Sequence, residues 1–217
     1  MPDYTSRDGI LRGTSRIRFV AVFLAGMLVV ALSGCASKIP LAPAQVEANN
    51  DYTYLIGPGD GLSVVIWRNG ELSGGGTVRP DGMISTPLVE DIKATNKTPT
   101  QLAREIEKAL TKYIQDPIVT VLVTGFNGPY SEQIRIVGQA ARPQAIPYRQ
   151  NMSILDVMIA VGGLTDFAAG NRATILRTRE GNAQYRVRLN DLLKNGDVSA
   201  NVEMRPGDVL IIPESYF

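Results

Sequence analysis

The chain has 217 residues, 22 Lys+Arg against 21 Asp+Glu, one cysteine and no histidine, and 44% of it is hydrophobic. Near-balanced charge argues against a nucleic-acid-binding protein, and the apolar content against a disordered chain. Without histidine or a second cysteine there is no Ser-His-Asp or Cys-His nucleophile system, no thiolate or imidazole zinc site and no disulfide framework, so an enzyme here must use carboxylates, lysines or hydroxyls.

The N-terminus carries Arg7, Arg12, Arg16 and Arg18, after which Phe19 to Leu32 run for fourteen residues without a charge. That run is shorter than the roughly twenty apolar residues of a membrane span and has signal-peptide anatomy. It ends in Leu32-Ser33-Gly34-Cys35, which reads as a bacterial lipoprotein lipobox with Cys35 as the lipidated residue. The competing reading is a short anchor helix that a cysteine happens to follow. Each buried acyl CH₂ contributes about 0.8 kcal/mol, so several chains on one cysteine exceed what stable anchoring requires. Ala36 stands where an aspartate would favour inner-membrane retention, which points to the outer membrane. Excluding residues 1–34 leaves 183 residues with 18 basic and 19 acidic side chains, a net charge of −1.

Residues 35–50 contain Pro40 and Pro43 without periodicity and read as a lipidated tether. Its fifteen residues after Cys35 reach roughly 45 Å if extended. A first module, 51–128, opens with the turn Gly57-Pro58-Gly59-Asp60-Gly61 and the strand Leu62 to Trp67. The glycine spacing invites a phosphate-loop reading, but such loops follow a strand and open a helix, whereas this one precedes a strand. Gly74-Gly75-Gly76 reads as a flexible loop, and Pro80-Asp81-Gly82 as a hairpin turn between short extended segments. Thr98, Pro99 and Gln101 form a capping box with proline at the first helical position. Leu102, Ile106, Leu110 and Tyr113 give the helix one apolar face, with Arg104, Glu105, Glu107 and Lys108 largely solvated. Asp116-Pro117 stops it before the strand Ile118 to Val123.

A second module, 129–217, starts with the strand Gln133 to Gly138. Ser153 opens a helix that is apolar around nearly its whole circumference, predicting burial on all sides, and Gly162-Gly163 ends it. Ala173–Arg179 and Ala183–Leu189 flank a hairpin turn at Glu180-Gly181-Asn182. Arg205-Pro206-Gly207-Asp208 and the strand after it repeat the turn-then-strand device of the first module. The fold class is α+β.

In sequence order, Tyr54-x-Ile56-Gly57-Pro58-Gly59-Asp60, Val78-x-x-Asp81-Gly82, Pro87-Leu88 and Asp116-Pro117-x-Val119 resemble the export domain of bacterial outer-membrane polysaccharide export lipoproteins. Val137-Gly138, Gly162-Gly163-Leu164-Thr165, Asn171-Arg172 and Pro206-Gly207-Asp208-Val209 resemble that family's soluble-ligand-binding β-grasp (SLBB) domain. The resemblance implies an outer-membrane, lipid-anchored protein with its body in the periplasm. It further implies a closed homo-oligomeric ring that conducts capsule or exopolysaccharide outward, with an inner-membrane chain-length-control protein as partner. The sequence ends soon after the second module, as in a short form lacking the C-terminal membrane helix of long members, so a separate outer-membrane β-barrel is expected to complete the channel. No cofactor and no nucleic acid are expected. Tyr216-Phe217 reads as coincidence rather than a barrel's last strand, because Val209 to Ile212 lack alternation.

Arg172, Arg177, Arg179, Arg186 and Arg188 gather near the late hairpin and are candidate glycan or subunit contacts, against the plainer reading of solvated strand faces and ion pairs. Glu90-Asp91 and Asp156 with Asp166 are the carboxylates a glycosidase reading would nominate. Asp156 fits better as a helix-start residue, and Asp60, Asp81 and Asp208 as turn residues; no catalytic residue is assigned. A lone Trp67 ending an apolar strand reads as partly buried core rather than a sugar platform. Three classes stay open: an export ring, a monomeric ligand-binding lipoprotein, and a periplasmic polysaccharide-processing enzyme.

Overall fold

The computed structural model describes residues 39–43 and 52–215. The lipobox Leu32-Ser33-Gly34-Cys35, and Tyr216 and Phe217, lie outside the described residues.

The first module is built on a three-stranded sheet in the order β2-β1-β5. Strand β1 (Gly61–Ile66) turns Leu62, Val64 and Ile66 inward, and β5 (Val119–Gly125) pairs antiparallel with it, Val64 opposite Val121. Helix α1 (Pro99–Leu110) has the expected reciprocal cap: the Gln101 N–H donates to Thr98 Oγ1 at 3.1 Å, and the Thr98 N–H to Gln101 Oε1 at 2.9 Å. Its buried stripe is Leu102, Ala103, Ile106 and Leu110, packed on Ile56, Leu62, Val64, Ile84 and Val119. Tyr113, expected on that stripe, lies past the helix end and is 61% exposed, while Ile114 packs against the core. The charged face also does more than meet solvent. Glu107 accepts the Val119 N–H at 2.8 Å and Arg104 donates to the Val119 carbonyl at 3.2 Å, so the pair fastens α1 to the start of β5.

Gly74 to Gly76 are a strand, not a loop: β2 (Gly74–Thr77) pairs antiparallel with β1, Val64 opposite Gly74. A Cβ on Gly74 or Gly76 would meet the neighbouring hairpin at an ordinary contact distance of 3.9 Å, whereas one on Gly75 would come within 3.0 Å of the Leu62 carbonyl oxygen of β1. The Pro80-Asp81-Gly82 turn forms, with the Gly82 N–H donating to the Arg79 carbonyl at 2.8 Å and Asp81 accepting from the Met83 N–H at 3.0 Å. The Arg79 N–H donates to the Met83 carbonyl at 2.9 Å and closes the expected turn, but the strands on its two sides do not pair with each other. Beyond it, β3 (Met83–Thr86) pairs with β4 (Val89–Lys93), while β2 belongs to β1.

The second module is a five-stranded sheet in the order β7-β6-β10-β8-β9. Strand β10 (Val209–Ile212) lies at its centre, parallel to β6 (Ile134–Gly138) and antiparallel to β8 (Thr174–Arg177). Short β7 (Ala145–Ile146) closes one side, and β9 (Ala183–Arg186) joins β8 through the expected turn at Gly181 and Asn182, both at positive φ. Helix α2 (Ile154–Val161) buries Ile154, Val157, Met158 and Val161 against the sheet's core. It is not buried on all sides. It covers a sheet with one face only, and Ile159 on the other is 69% exposed. Leu189, expected to end a strand, instead begins helix α3 (Leu189–Lys194) and is buried in the same core.

Part of the stretch expected to be a free tether is docked. The Arg186 N–H donates to the Pro40 carbonyl at 2.7 Å and the Ala42 N–H to the Arg186 carbonyl at 2.9 Å, which lays Leu41 parallel to the open side of β9. At the start of the first module, the Tyr52 ring meets Tyr148 of the second edge-on at 4.9 Å between centroids. Among the described residues no helix is long and apolar enough to cross a membrane.

Candidate functional site

The repeated turn-then-strand device is a pair of buried carboxylates. Asp60, fully buried, accepts from the Tyr54 hydroxyl at 2.6 Å and the Gly57 N–H at 2.8 Å through Oδ2. Its Oδ1 accepts the N–H groups of Asn127 at 2.7 Å and Gly128 at 2.8 Å. One side chain thereby ties the start of β1 to the segment that leaves β5 toward the second module. Burial and the Asp60 bond both hold the Tyr54 phenol well above its ordinary range.

Asp208 repeats the motif with a different outcome. Its Oδ2 accepts the Arg205 N–H at 2.9 Å, three residues back, as Asp60 does from Gly57. The remaining partner is a cation, Arg177, whose Nε lies 3.8 Å from Oδ2, too far for a hydrogen bond. Burial therefore dominates and pushes the Asp208 carboxyl up to about 6, against the opposing pull of the Arg205 N–H and the Arg177 and Arg205 charges. The folded state thus binds a proton more readily than an unfolded aspartate titrating near 3.9. Stability contributed by that proton is present at low pH and is lost as pH rises through about 6. The expected result is that urea unfolding shows the protein about 2 kcal/mol more stable at pH 4.5 than at pH 7.5, and that Asp208→Asn flattens this difference.

The structure does not gather the five candidate arginines into one free patch. Arg177 is buried, stacked 4.9 Å from the Tyr185 ring centroid, and donates to the Glu203 carbonyl at 3.3 Å and weakly to Glu180 at 3.5 Å. Arg179 pairs with the buried Glu132, and Arg188 bridges Asp191 at 3.2 Å and Asp197 at 2.9 Å. Arg186 donates to the Asn171 carbonyl at 2.8 Å and Arg172 to the Glu214 carbonyl at 2.9 Å. Each thus has an intramolecular bond, with Arg172, Arg179 and Arg186 still exposed.

Two of the nominated carboxylates, Asp91 and Asp156, are held by partners on their own elements or in the neighbouring turn. Asp91 is ion-paired with Arg79 at 2.7 Å, and Asp156 is the capping-box residue of α2, its carboxyl held below the usual range by the Ser153 hydroxyl and N–H. Trp67 is not core: it is 63% exposed, and its N–H donates to the carbonyl of Ile118, itself 58% exposed. Strand alternation places Ile66 inward and Trp67 outward, on the same side as Val65, a signal the sequence carried.

A family model described as polysaccharide biosynthesis/export protein matches residues 48–124, and an SLBB domain model matches residues 132–212. The chain thus carries a polysaccharide biosynthesis/export domain followed by an SLBB domain. The chain is 27% identical over 186 residues to the EPS I polysaccharide export outer membrane protein EpsA of Ralstonia nicotianae, covering 74% of the chain and 47% of that relative. It is 30% identical to the capsule polysaccharide export outer membrane protein CtrA of Neisseria meningitidis over 70% of the chain and 42% of the relative. The exopolysaccharide production protein ExoF of Rhizobium meliloti is 28% identical over 91% of the chain and 47% of its own length. The chain thus spans less than half the length of these relatives.

Proposed function

We propose that this protein is a periplasmic, outer-membrane-anchored component of a polysaccharide export translocon. In this reading residues 1–34 are a cleaved leader, Cys35 carries the lipid, 35–50 lead to the folded body, and 51–128 and 129–217 are the two modules. The supporting observation is the joint order of the export and SLBB matches in one chain, together with its similarity to relatives named as polysaccharide export proteins. Copies join head to tail into a closed ring, which requires two different complementary surfaces on each subunit. The polymer passes through the lumen, the protein acting by shape rather than by making or breaking bonds. An inner-membrane chain-length-control protein feeds the ring, and a separate outer-membrane β-barrel continues the path. Arg172 and Arg179 are exposed and serve as contacts to the polymer or a neighbouring subunit.

In-frame deletion of the gene is expected to abolish extracellular polymer, with recovery on re-expression; unchanged polymer outside the cell would overturn the export reading. Detergent-extracted protein is expected at a large multiple of its monomer mass by light scattering. A persistent monomer would favour a ligand-binding lipoprotein instead.

A further inference from the structure

We infer that the strap Pro40–Ala42 holds the β9 side of the second module against the lipid surface. This rests on the reading of Cys35 as the acylated residue. The strap is fixed by two backbone hydrogen bonds to Arg186, at 2.7 and 2.9 Å, so the leash from the lipid to the folded body ends at Pro40. Five residue steps separate Cys35 from Pro40, a reach of about 17 Å when fully extended. Without the strap the leash would run to Tyr52, where the first module's described chain begins, a reach of about 60 Å. A module of this size is about 30 Å across. The leash is shorter than the module is wide, so the sheet's opposite side, at β7, cannot be the one that meets the membrane.

The surface around the strap has the composition of a lipid-facing one. Ile39 is 41%, Leu41 59% and Val198 77% exposed, a concentration of uncovered aliphatic side chains. Leu41, Ala42, Arg186, Arg188, Ser199 and Ala200 line one small pocket, which places Val198 beside the strap. Exposed cations stand among them: Arg186 donates through Nε to the Asn171 carbonyl, and Lys194 ends α3, which packs on the Val198–Ala200 turn. Aliphatic groups that enter the acyl boundary, with basic side chains at the level of phosphates, are what an interfacial surface presents.

Cys35 is the sole cysteine and is blocked once acylated, so a second cysteine can be labelled alone. The test uses full-length acylated protein in phosphatidylethanolamine/phosphatidylglycerol vesicles carrying a headgroup-linked quencher, with a fluorophore at Gln184→Cys on β9 or at Glu90→Cys on β4. Both positions are exposed. Quenching is expected to be several-fold stronger at 184 than at 90. Adding Ala42→Pro removes the strap's N–H donor and is expected to erase that difference while leaving the protein vesicle-bound. Equal quenching at the two positions, or a difference that survives Ala42→Pro, overturns the inference. Intact mass of the extracted protein is measured first: an unmodified Cys35 defeats the lipid-anchor reading itself, a failure distinct from an acylated protein without the quenching difference.

Discussion

Asp60→Ala is expected to destabilise the protein by about 3–5 kcal/mol, the cost of leaving several donors without their charged acceptor. Four groups converge on this carboxylate, three of them backbone N–H groups, and its residue is completely buried. Water cannot replace the lost acceptor without opening the turn. For a body of this size the loss corresponds to a fall in Tm of about 10 °C, read by thermal circular dichroism. Tyr54→Phe removes one donor but leaves the carboxylate with its backbone partners, and its expected cost is about 1 kcal/mol. If Asp60→Ala were no worse than Tyr54→Phe, the carboxylate would not be the tie between β1 and the chain leaving β5.

Gly57→Ala tests the same junction by volume. A Cβ at position 57 would lie 2.0 Å from the Gly128 carbonyl carbon and 2.2 Å from the Pro129 nitrogen, inside backbone that cannot swing away as a side-chain tip can. Either the turn or the segment between the modules must move, and the Asp60 bonds to Asn127 and Gly128 move with it. The expected loss is at least about 4 kcal/mol, in the range reserved for a clash of this kind. Gly70→Ala is the control: nothing lies within 4 Å of its new Cβ, and a change within about 0.5 kcal/mol is expected. Similar Tm values for the two variants would refute the close approach.

These two residues also mark how far the sequence could be read. Asp60 and Asp208 were recognisable as turn residues from their Pro-Gly-Asp settings, and both capping boxes were legible because a cap is a local contract between residues three apart. What could not be read was the long-range half of each. The bonds from Asp60 to Asn127 and Gly128 bridge more than sixty positions, and nothing in the spacing announces them. The glycine strand β2 was missed for a related reason: its place is set by β1 on one side and the β3–β4 hairpin above, not by any propensity of Gly74 to Gly76. The strap failed similarly, since Pro40 to Ala42 hold their line through Arg186, far along the chain. Helix α2 misled in the other direction. Its all-round apolar composition was read as a burial pattern, yet one uncovered face leaves Ile159 in the open. Strand alternation alone sets Arg177 and Arg179 on one side of β8, but the chain turns at Thr178–Glu180, which leaves Arg177 buried and Arg179 exposed.

The order of the second module's sheet has a consequence for biogenesis. Strand β10, placed between β6 and β8, is the latest of its strands in the chain, yet it provides the middle of the sheet. Until it emerges, the β6–β7 and β8–β9 hairpins have no shared ladder, and Leu210 and Ile212 are missing from the interior they fill. A polypeptide threading head-first through a secretion channel therefore keeps this module open until nearly all of it has crossed. The architecture delays its own completion until its latest strand is free to insert.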